Sequence, residues 1–263
     1  MKQEWGILET KSRGKVQGAR GKDRCQVSGG TVMERSFAVK ICGITDINNA
    51  QLAAESGADF LGVLVEVAIS PRSKTIIQAK GIFDATFLPT VALVHEMSLE
   101  RIEYLISELD PFAIQFLGEQ DINVINLLKQ NFPHIHMWQS LHLPAGEAFD
   151  IKQVASDAEN YIDAGVDVIV LDTAVETGVK KQYGGTGQTN NWELVKELIP
   201  LIKVPVLLAG GLNPENVQKA LLTTNSIGID VSSGVEVIKG EKDPEKLRLL
   251  ISQVRELEKR KGF

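Results

Sequence analysis

The chain has 263 residues, of which 43% are hydrophobic and 24% are charged, and its net charge is −6. These values are ordinary for a soluble globular protein and allow one large domain or two small ones. No apolar run approaches the ~18 residues that a membrane span needs. The two cysteines provide no disulfide framework and no secretory signal is evident, so we expect a cytoplasmic protein without a membrane partner.

The charge is unevenly distributed along the chain. Residues 1–35 carry eight Lys or Arg against four Asp or Glu, so the remainder has a net charge of −10. An acidic body argues against a broad nucleic-acid surface. The first 35 residues lack hydrophobic periodicity, and three interpretations compete: a disordered tail, a targeting peptide, or a gene-start artefact with Met33 as the true start. The third is favoured, and the folded domain is expected over 36–263.

From Phe37 onward, short apolar runs alternate with amphipathic ones. The apolar runs are typical of parallel strands covered on both faces. The predicted strands are 37–41, 60–65, 90–94, 113–116, 135–139, 168–171, 206–209 and 228–231. The predicted helices are 46–55, 78–83, 99–109, 121–131, 151–164, 192–198, 215–222 and 244–258. Eight strands, each followed by a helix, predict a single (β/α)₈ barrel. An open doubly wound sheet is the alternative, and the strand count decides against it.

A barrel of this kind places its active site at the carboxyl ends of its strands. Cys42 ends the first strand and Asp172 ends the sixth, so both are expected at the barrel mouth. A thiolate can remove a proton from carbon, and a positive neighbour could lower the pKa of the thiol. Asp172 would need a raised pKa to act as a general acid near neutral pH. The competing interpretation is a buried structural cysteine and a turn-forming aspartate.

Small residues follow the seventh and eighth strands, where many barrels bind phosphate. Their backbone N–H groups, with a short helix starting near Ser233, form a predicted phosphate cradle. Ordinary turns are the alternative. The cradle residues are Gly210, Gly211, Ser232, Ser233 and Gly234.

Other polar residues are less informative. Arg72 could hold a carboxylate with its guanidinium fork, although a solvated surface arginine is the simpler interpretation. The four histidines show no metal-ligand spacing. His134 and His136 precede or begin the fifth strand, at the predicted barrel bottom, and are interpreted as structural.

Taken together, these motifs resemble the phosphoribosylanthranilate isomerase family over about residues 37–258. The matching segments are residues 40–45 (KICGIT), 57–62 (GADFLG), 70–72 (SPR), 171–172 (LD), 184–187 (GGTG), 208–217 (LAGGLNPENV) and 230–236 (DVSSGVE). The family is a (β/α)₈ barrel that rearranges N-(5-phosphoribosyl)anthranilate to the corresponding 1-deoxyribulose 5-phosphate. The reaction is a step of tryptophan biosynthesis and uses no metal or cofactor.

The resemblance implies a role for each site residue. Asp172 would protonate the furanose oxygen, Cys42 would remove the proton from sugar C2, and Arg72 would hold the anthranilate carboxylate. Asp230 would hydrogen-bond the substrate. The phosphate would lie on the cradle residues named above.

The chain departs from the family pattern at several strand ends. Leu117 stands where the family usually has histidine, and Asn190-Asn191-Trp192 replaces Phe-Asp-Trp. Glu66-Val-Ala-Ile69 intervenes before the Ser-Pro-Arg segment, and Leu93-Val94-His95-Glu96 replaces the usual end of the third strand. Two alternatives therefore stay open. One is a paralogous barrel isomerase or epimerase for a different phosphosugar, and the other is a non-catalytic barrel that binds a phosphate ligand.

Overall fold

The computed structural model describes residues 37–177, 180–183 and 189–262, with no side chains described at 174–177 and 180–183. The predicted segment 1–35 and the glycine motif 184–187 lie outside these residues. Within the described ranges, no helix combines the length and the apolar character needed to cross a bilayer.

Strands and helices alternate around a closed barrel. The strands are β1 (Ala38–Ile41), β2 (Phe60–Leu64), β3 (Thr90–Val94), β4 (Ala113–Phe116), β5 (His136–Pro144), β6 (Val168–Thr177), β7 (Lys180–Tyr183), β8 (Val206–Leu208), β9 (Gly228–Val231), β10 (Glu236–Ile238) and β11 (Glu241–Lys242). The α-helices are α1 (Ile47–Ser56), α2 (Ile76–Asp84), α3 (Leu99–Leu109), α4 (Ile122–Asn131), α5 (Ile151–Asp163), α6 (Trp192–Leu198), α7 (Val217–Thr224) and α8 (Pro244–Lys261). Short 3₁₀ turns follow at Ile199–Leu201 and Ser233–Val235.

Eight parallel strands form the barrel wall in the order β1-β2-β3-β4-β5-β6-β8-β9. The pairing of β1 with β9 and of β5 with β6 closes the ring. Strand β7 pairs antiparallel with β6, and β10 with β11 forms a separate two-stranded ribbon. The predicted (β/α)₈ barrel is therefore confirmed.

Alternation along each strand separates two cores. In β1, Val39 and Ile41 face the helices and belong to the large core between barrel and helices. Ala38 and Cys42 belong to the smaller core inside the barrel. The lower end of that interior is filled by aromatic rings, with Phe60 and Trp138 edge to face at 5.5 Å between centroids. Polar interior residues are thereby confined to the upper end, where the strands finish.

Local signals explain most helix boundaries. The Asp46 side chain accepts from the N–H of Asn49 and starts α1, and Gly57 ends it with φ 95°. Thr75 starts α2 through a capping box with Gln78, a signal that the sequence prediction did not use.

The predicted start of helix α7 is wrong. Helix α7 begins at Val217 rather than just after Pro214, because the Asn213 side chain accepts from Glu215 and Asn216 and holds this segment as a turn.

Two strands are longer than predicted. β5 and β6 continue past the wall and stay paired as far as Pro144 and Ala174. These extensions of β5 and β6, together with β7, project beyond the barrel wall next to Asp172. The sequence prediction missed them because polar residues interrupt the apolar run that marks a buried strand.

Candidate active site

Cys42 follows β1 directly and is 7% exposed. Its N–H donates to the carbonyl of Val231 at 2.8 Å, which ties the end of β1 to β9. Gly43 comes next, with φ 72°, and a Cβ there would lie 2.7 Å from both Arg72 Cδ and Ser232 Oγ. Glycine is therefore required for the turn and for the approach of two other predicted site residues to Cys42.

A buried ion pair lies below the thiol. Lys40 points into the barrel and is wholly buried, and its Nζ lies 2.7 Å from Asp230 Oδ2. Nζ of Lys40 and Sγ of Cys42 are each 3.0 Å from the position that a Cβ would take on Gly62. A side chain at position 62 would displace one of them. Oδ1 of Asp230 is buried and has no hydrogen-bond partner among the described residues, which leaves it able to accept from a ligand.

Asp172 ends the wall portion of β6, with β8 and β9 between it and β1. Its Oδ1 accepts from the N–H of Thr173 at 2.7 Å. Burial of the carboxyl, with a smaller contribution from the negative charge of Asp230, raises the pKa of Asp172 to about 7. The Thr173 N–H and the Lys40 ammonium oppose the rise without cancelling it. This pKa fits the raised value that a general acid requires.

Burial also dominates the pKa of the Cys42 thiol. It raises the pKa of Cys42 to about 11, with Asp230 adding to the rise, while Lys40 and Lys242 oppose it. From the sequence, a positive neighbour could lower the pKa of this thiol. Two lysines do act in that direction, but desolvation outweighs them, so the free protein holds Cys42 as a thiol at neutral pH.

The predicted phosphate residues form two loops that touch. A Cβ on Gly210, where φ is 86°, would lie 2.0 Å from Thr173 Oγ1. A Cβ on Gly234 would lie 1.8 Å from the Leu212 carbonyl oxygen. Within the described part of the chain, the N–H groups of Gly211, Ser233 and Gly234 form no hydrogen bond. The arrangement suits an anion that accepts from backbone N–H groups.

Arg72 is buried, at 7% exposed, and is not a solvated surface arginine. Its guanidinium forms a bidentate ion pair with Glu236, with Nε to Oε1 at 2.8 Å and one terminal nitrogen to Oε2 at 2.5 Å. The same carboxylate accepts from Lys242 Nζ at 3.0 Å. A ligand carboxylate must therefore use the three N–H donors of Arg72 that Glu236 does not engage, or displace Glu236.

Sequence reasoning missed Lys40, Lys242 and the pairing role of Glu236. Lys40 had a readable signal, because it is a charged residue between apolar residues in a strand and faces the same way as Cys42. His136 lies at the bottom of the barrel as predicted, stacked on Phe112 with centroids 4.7 Å apart. Among the described residues, no group of three or more His, Cys, Asp or Glu could hold a metal ion.

A closed eight-stranded barrel with ionisable side chains and glycine loops at its mouth defines a (β/α)₈-barrel enzyme. The sequence model of the N-(5′-phosphoribosyl)anthranilate (PRA) isomerase family matches residues 39–253. An N-(5′-phosphoribosyl)anthranilate isomerase of Methanocella arvoryzae is 35% identical over 219 residues, covering 82% of this chain and 97% of the relative.

Two solved structures show the same likeness. The phosphoribosyl anthranilate isomerase of Thermotoga maritima superposes with a TM-score of 0.70 at 29% identity, over 84% of this chain and 99% of that one. A phosphoribosyl anthranilate isomerase in complex with reduced 1-(o-carboxyphenylamino)-1-deoxyribulose 5-phosphate gives a TM-score of 0.68 at 26% identity, with the same coverage. The chain belongs to the phosphoribosylanthranilate isomerase family and is an isomerase of tryptophan biosynthesis. The family predicted from the strand-end motifs is confirmed.

Proposed function

We propose that Asp172 and Cys42 are the general acid and general base of the rearrangement of N-(5-phosphoribosyl)anthranilate. The product is 1-(2-carboxyphenylamino)-1-deoxyribulose 5-phosphate. The observation that carries the proposal is a carboxyl with a pKa of about 7 and a buried thiol, both interacting with the Lys40–Asp230 ion pair. Each group has the chemistry that one half of the reaction needs.

The first half is ring opening. Protonated Asp172 gives its proton to the furanose ring oxygen, the bond from that oxygen to C1 breaks, and the nitrogen lone pair forms a protonated imine.

The second half is proton transfer from C2, because the imine cation makes the hydrogen on C2 acidic. The thiolate of Cys42 removes it, and the C–H electrons move to form an enolamine, which tautomerises to the ketose. No redox partner is consumed, because the aldose carbon is reduced as its neighbour is oxidised.

The pKa values of Asp172 and Cys42 determine which of the two groups holds the proton at a given pH. Between about pH 7 and about pH 11, the free pair holds one proton, and that proton resides mostly on Cys42. The competent state has the same proton on Asp172. The positive imine stabilises a neighbouring thiolate, so the substrate itself favours the ionised base once the ring has opened.

Binding is proposed for the remaining site residues. Among the described residues, the N–H groups of Gly211, Ser233 and Gly234 and the Oδ1 of Asp230 have no hydrogen-bond partner. The N–H groups support a phosphate position, and Oδ1 supports a hydrogen bond from a sugar hydroxyl. For Arg72 we propose contact with the anthranilate carboxylate through the amino group that Glu236 leaves free. A cytoplasmic location stays a prediction, supported by the place of the enzyme in amino-acid biosynthesis.

A steady-state assay with freshly prepared phosphoribosylanthranilate tests the roles of the pair. We expect kcat to fall by at least ~100-fold in Cys42→Ala and in Asp172→Asn, the usual scale for loss of an acid or a base. Ser56→Ala, on the helix layer away from the mouth, is the control and should keep wild-type kcat. A folded Cys42→Ala enzyme with wild-type kcat would remove the thiol from the mechanism.

A further inference from the structure

The ribbon of β10 and β11 places a lysine between two parts of the active site. Lys242 is in the two-residue strand β11, yet its side chain is 0% exposed. Its own N–H donates to Asn49 Oδ1 at 3.0 Å, which fixes the strand against α1. The ribbon thus delivers a buried ammonium to the barrel mouth from the loop before α8.

All three N–H donors of that ammonium have an acceptor. Nζ lies 2.6 Å from the carbonyl oxygen of Cys42, 3.1 Å from that of Ser232 and 3.0 Å from Glu236 Oε1. The first acceptor belongs to the proposed base and the second to the phosphate loop. The third links Lys242 to Arg72, because Glu236 also accepts twice from that guanidinium.

We propose that Lys242 is a positioning residue of the isomerase reaction, holding the base and the phosphate loop in fixed relation through their backbone carbonyls. The proposal rests on the roles given above to Cys42 and to the phosphate loop that contains Ser232. Burial makes the geometry strict, since a desolvated ammonium must keep its acceptors. Movement of β11 would therefore displace the thiol and the phosphate loop together.

The lysine also acts on the thiol electrostatically. The charged groups that interact with Cys42 are Lys40 on β1, Asp230 on β9, Lys242 on β11 and Arg72 in the loop before α2. Both ammonium groups favour the thiolate. Loss of Lys242 removes one of them, so the thiolate becomes harder to form at any given pH.

Lys242→Met tests the proposal, because methionine has a similar length and no charge. The matched control is Lys246→Met: its half-exposed Nζ donates to the Glu236 backbone carbonyl at 3.1 Å and lies 3.8 Å from Asp243 Oδ2. It forms no hydrogen bond or ion pair with Cys42 or with the phosphate loop. We expect kcat/KM to fall at least ~30-fold in Lys242→Met and less than ~3-fold in the control.

Two measurements without turnover separate positioning from general stability. With Cys25 replaced by serine, iodoacetamide should alkylate Cys42 at least ~5-fold more slowly at pH 9 in Lys242→Met. Inorganic phosphate should bind about tenfold more weakly to the same variant. Both readings stand even if the wild-type protein fails to turn over its substrate, so failure of the proposed roles and failure of this proposal are distinguishable.

Lys242→Gln serves if the methionine variant does not fold, since its amide keeps two N–H donors for the two carbonyls. It should keep more of the phosphate affinity and still show slower alkylation. Wild-type alkylation and phosphate binding in either folded variant would overturn the proposal, as would equal losses in Lys246→Met. Failure of both variants to fold would also overturn it, by making Lys242 a residue of stability alone.

Discussion

Replacing Asp172 with asparagine should stabilise the folded chain, by an amount that grows with pH. The pKa of this carboxyl is 3.8 as an ordinary aspartate and about 7 when folded, because burial penalises the charged form. As pH rises from about 4 to about 7, the unfolded chain ionises while the folded chain must keep the proton. The free energy of unfolding of the wild type therefore falls across this range. Asparagine resembles the neutral acid and can still accept from the Thr173 N–H.

The magnitude follows from the shift. One pKa unit corresponds to about 1.4 kcal/mol, so a rise of roughly three units gives about 4 kcal/mol above pH 8 and about 2 kcal/mol at pH 5. Urea unfolding of wild type and Asp172→Asn at pH 5, 7 and 9 measures the difference. Asp84→Asn, at the exposed end of α2, controls for the loss of one negative charge. A difference that stays constant from pH 5 to pH 9 would refute the reasoning.

Two further predictions concern residues near Asp172 and Cys42. Gly210→Ala should raise KM at least ~10-fold, because its Cβ would lie 2.0 Å from Thr173 Oγ1. The control is Gly146→Ala, which has a similar positive φ and nothing within 4 Å of its Cβ, and its KM should not change. Equal KM values in the two variants would contradict this prediction. Lys40→Met should lower the free energy of unfolding by roughly 3–5 kcal/mol in chemical denaturation, because it leaves the buried Asp230 carboxylate unpaired. Adding Asp230→Asn should recover most of the loss, and no recovery would count against the buried pair.

The barrel and the positions of Cys42 and Asp172 at its mouth could be predicted because their signals are local. Apolar runs mark the strands, and the first polar residues after them, such as Cys42 and Asp172, must lie at the mouth of any such barrel. The same argument located Asp230 and the glycine loops. It needed only the order of elements along the chain and the rule that strand ends share one face.

The ion-pair network could not be predicted in this way. Arg72 and Glu236 are 164 residues apart, and Lys242 and Cys42 are 200 apart, so no local pattern joins them. Lys242 lies two residues after Gly240, and a lysine so close to a turn is expected from sequence to be exposed to solvent. Its burial depends on how the β10–β11 ribbon folds over the barrel mouth.

The pKa of the Cys42 thiol also could not be predicted from the sequence. The sequence places Lys40 two residues before Cys42, but it does not show how completely the thiol is desolvated. Desolvation decides the result, since it outweighs both Lys40 and Lys242.

The pH dependence of kcat/KM tests most directly that Asp172 and Cys42 act as acid and base. With pKa values of about 7 and about 11, the competent state of the pair becomes about tenfold more populated per pH unit up to pH 7 and is then constant. We therefore predict a kcat/KM that rises to about pH 7 and stays level to about pH 10. In Asp172→Asn, the residual activity should lose the break near pH 7 and keep rising. A break that persists in that variant, or a wild-type kcat/KM that falls between pH 7 and pH 9, would contradict the assignment of the pair.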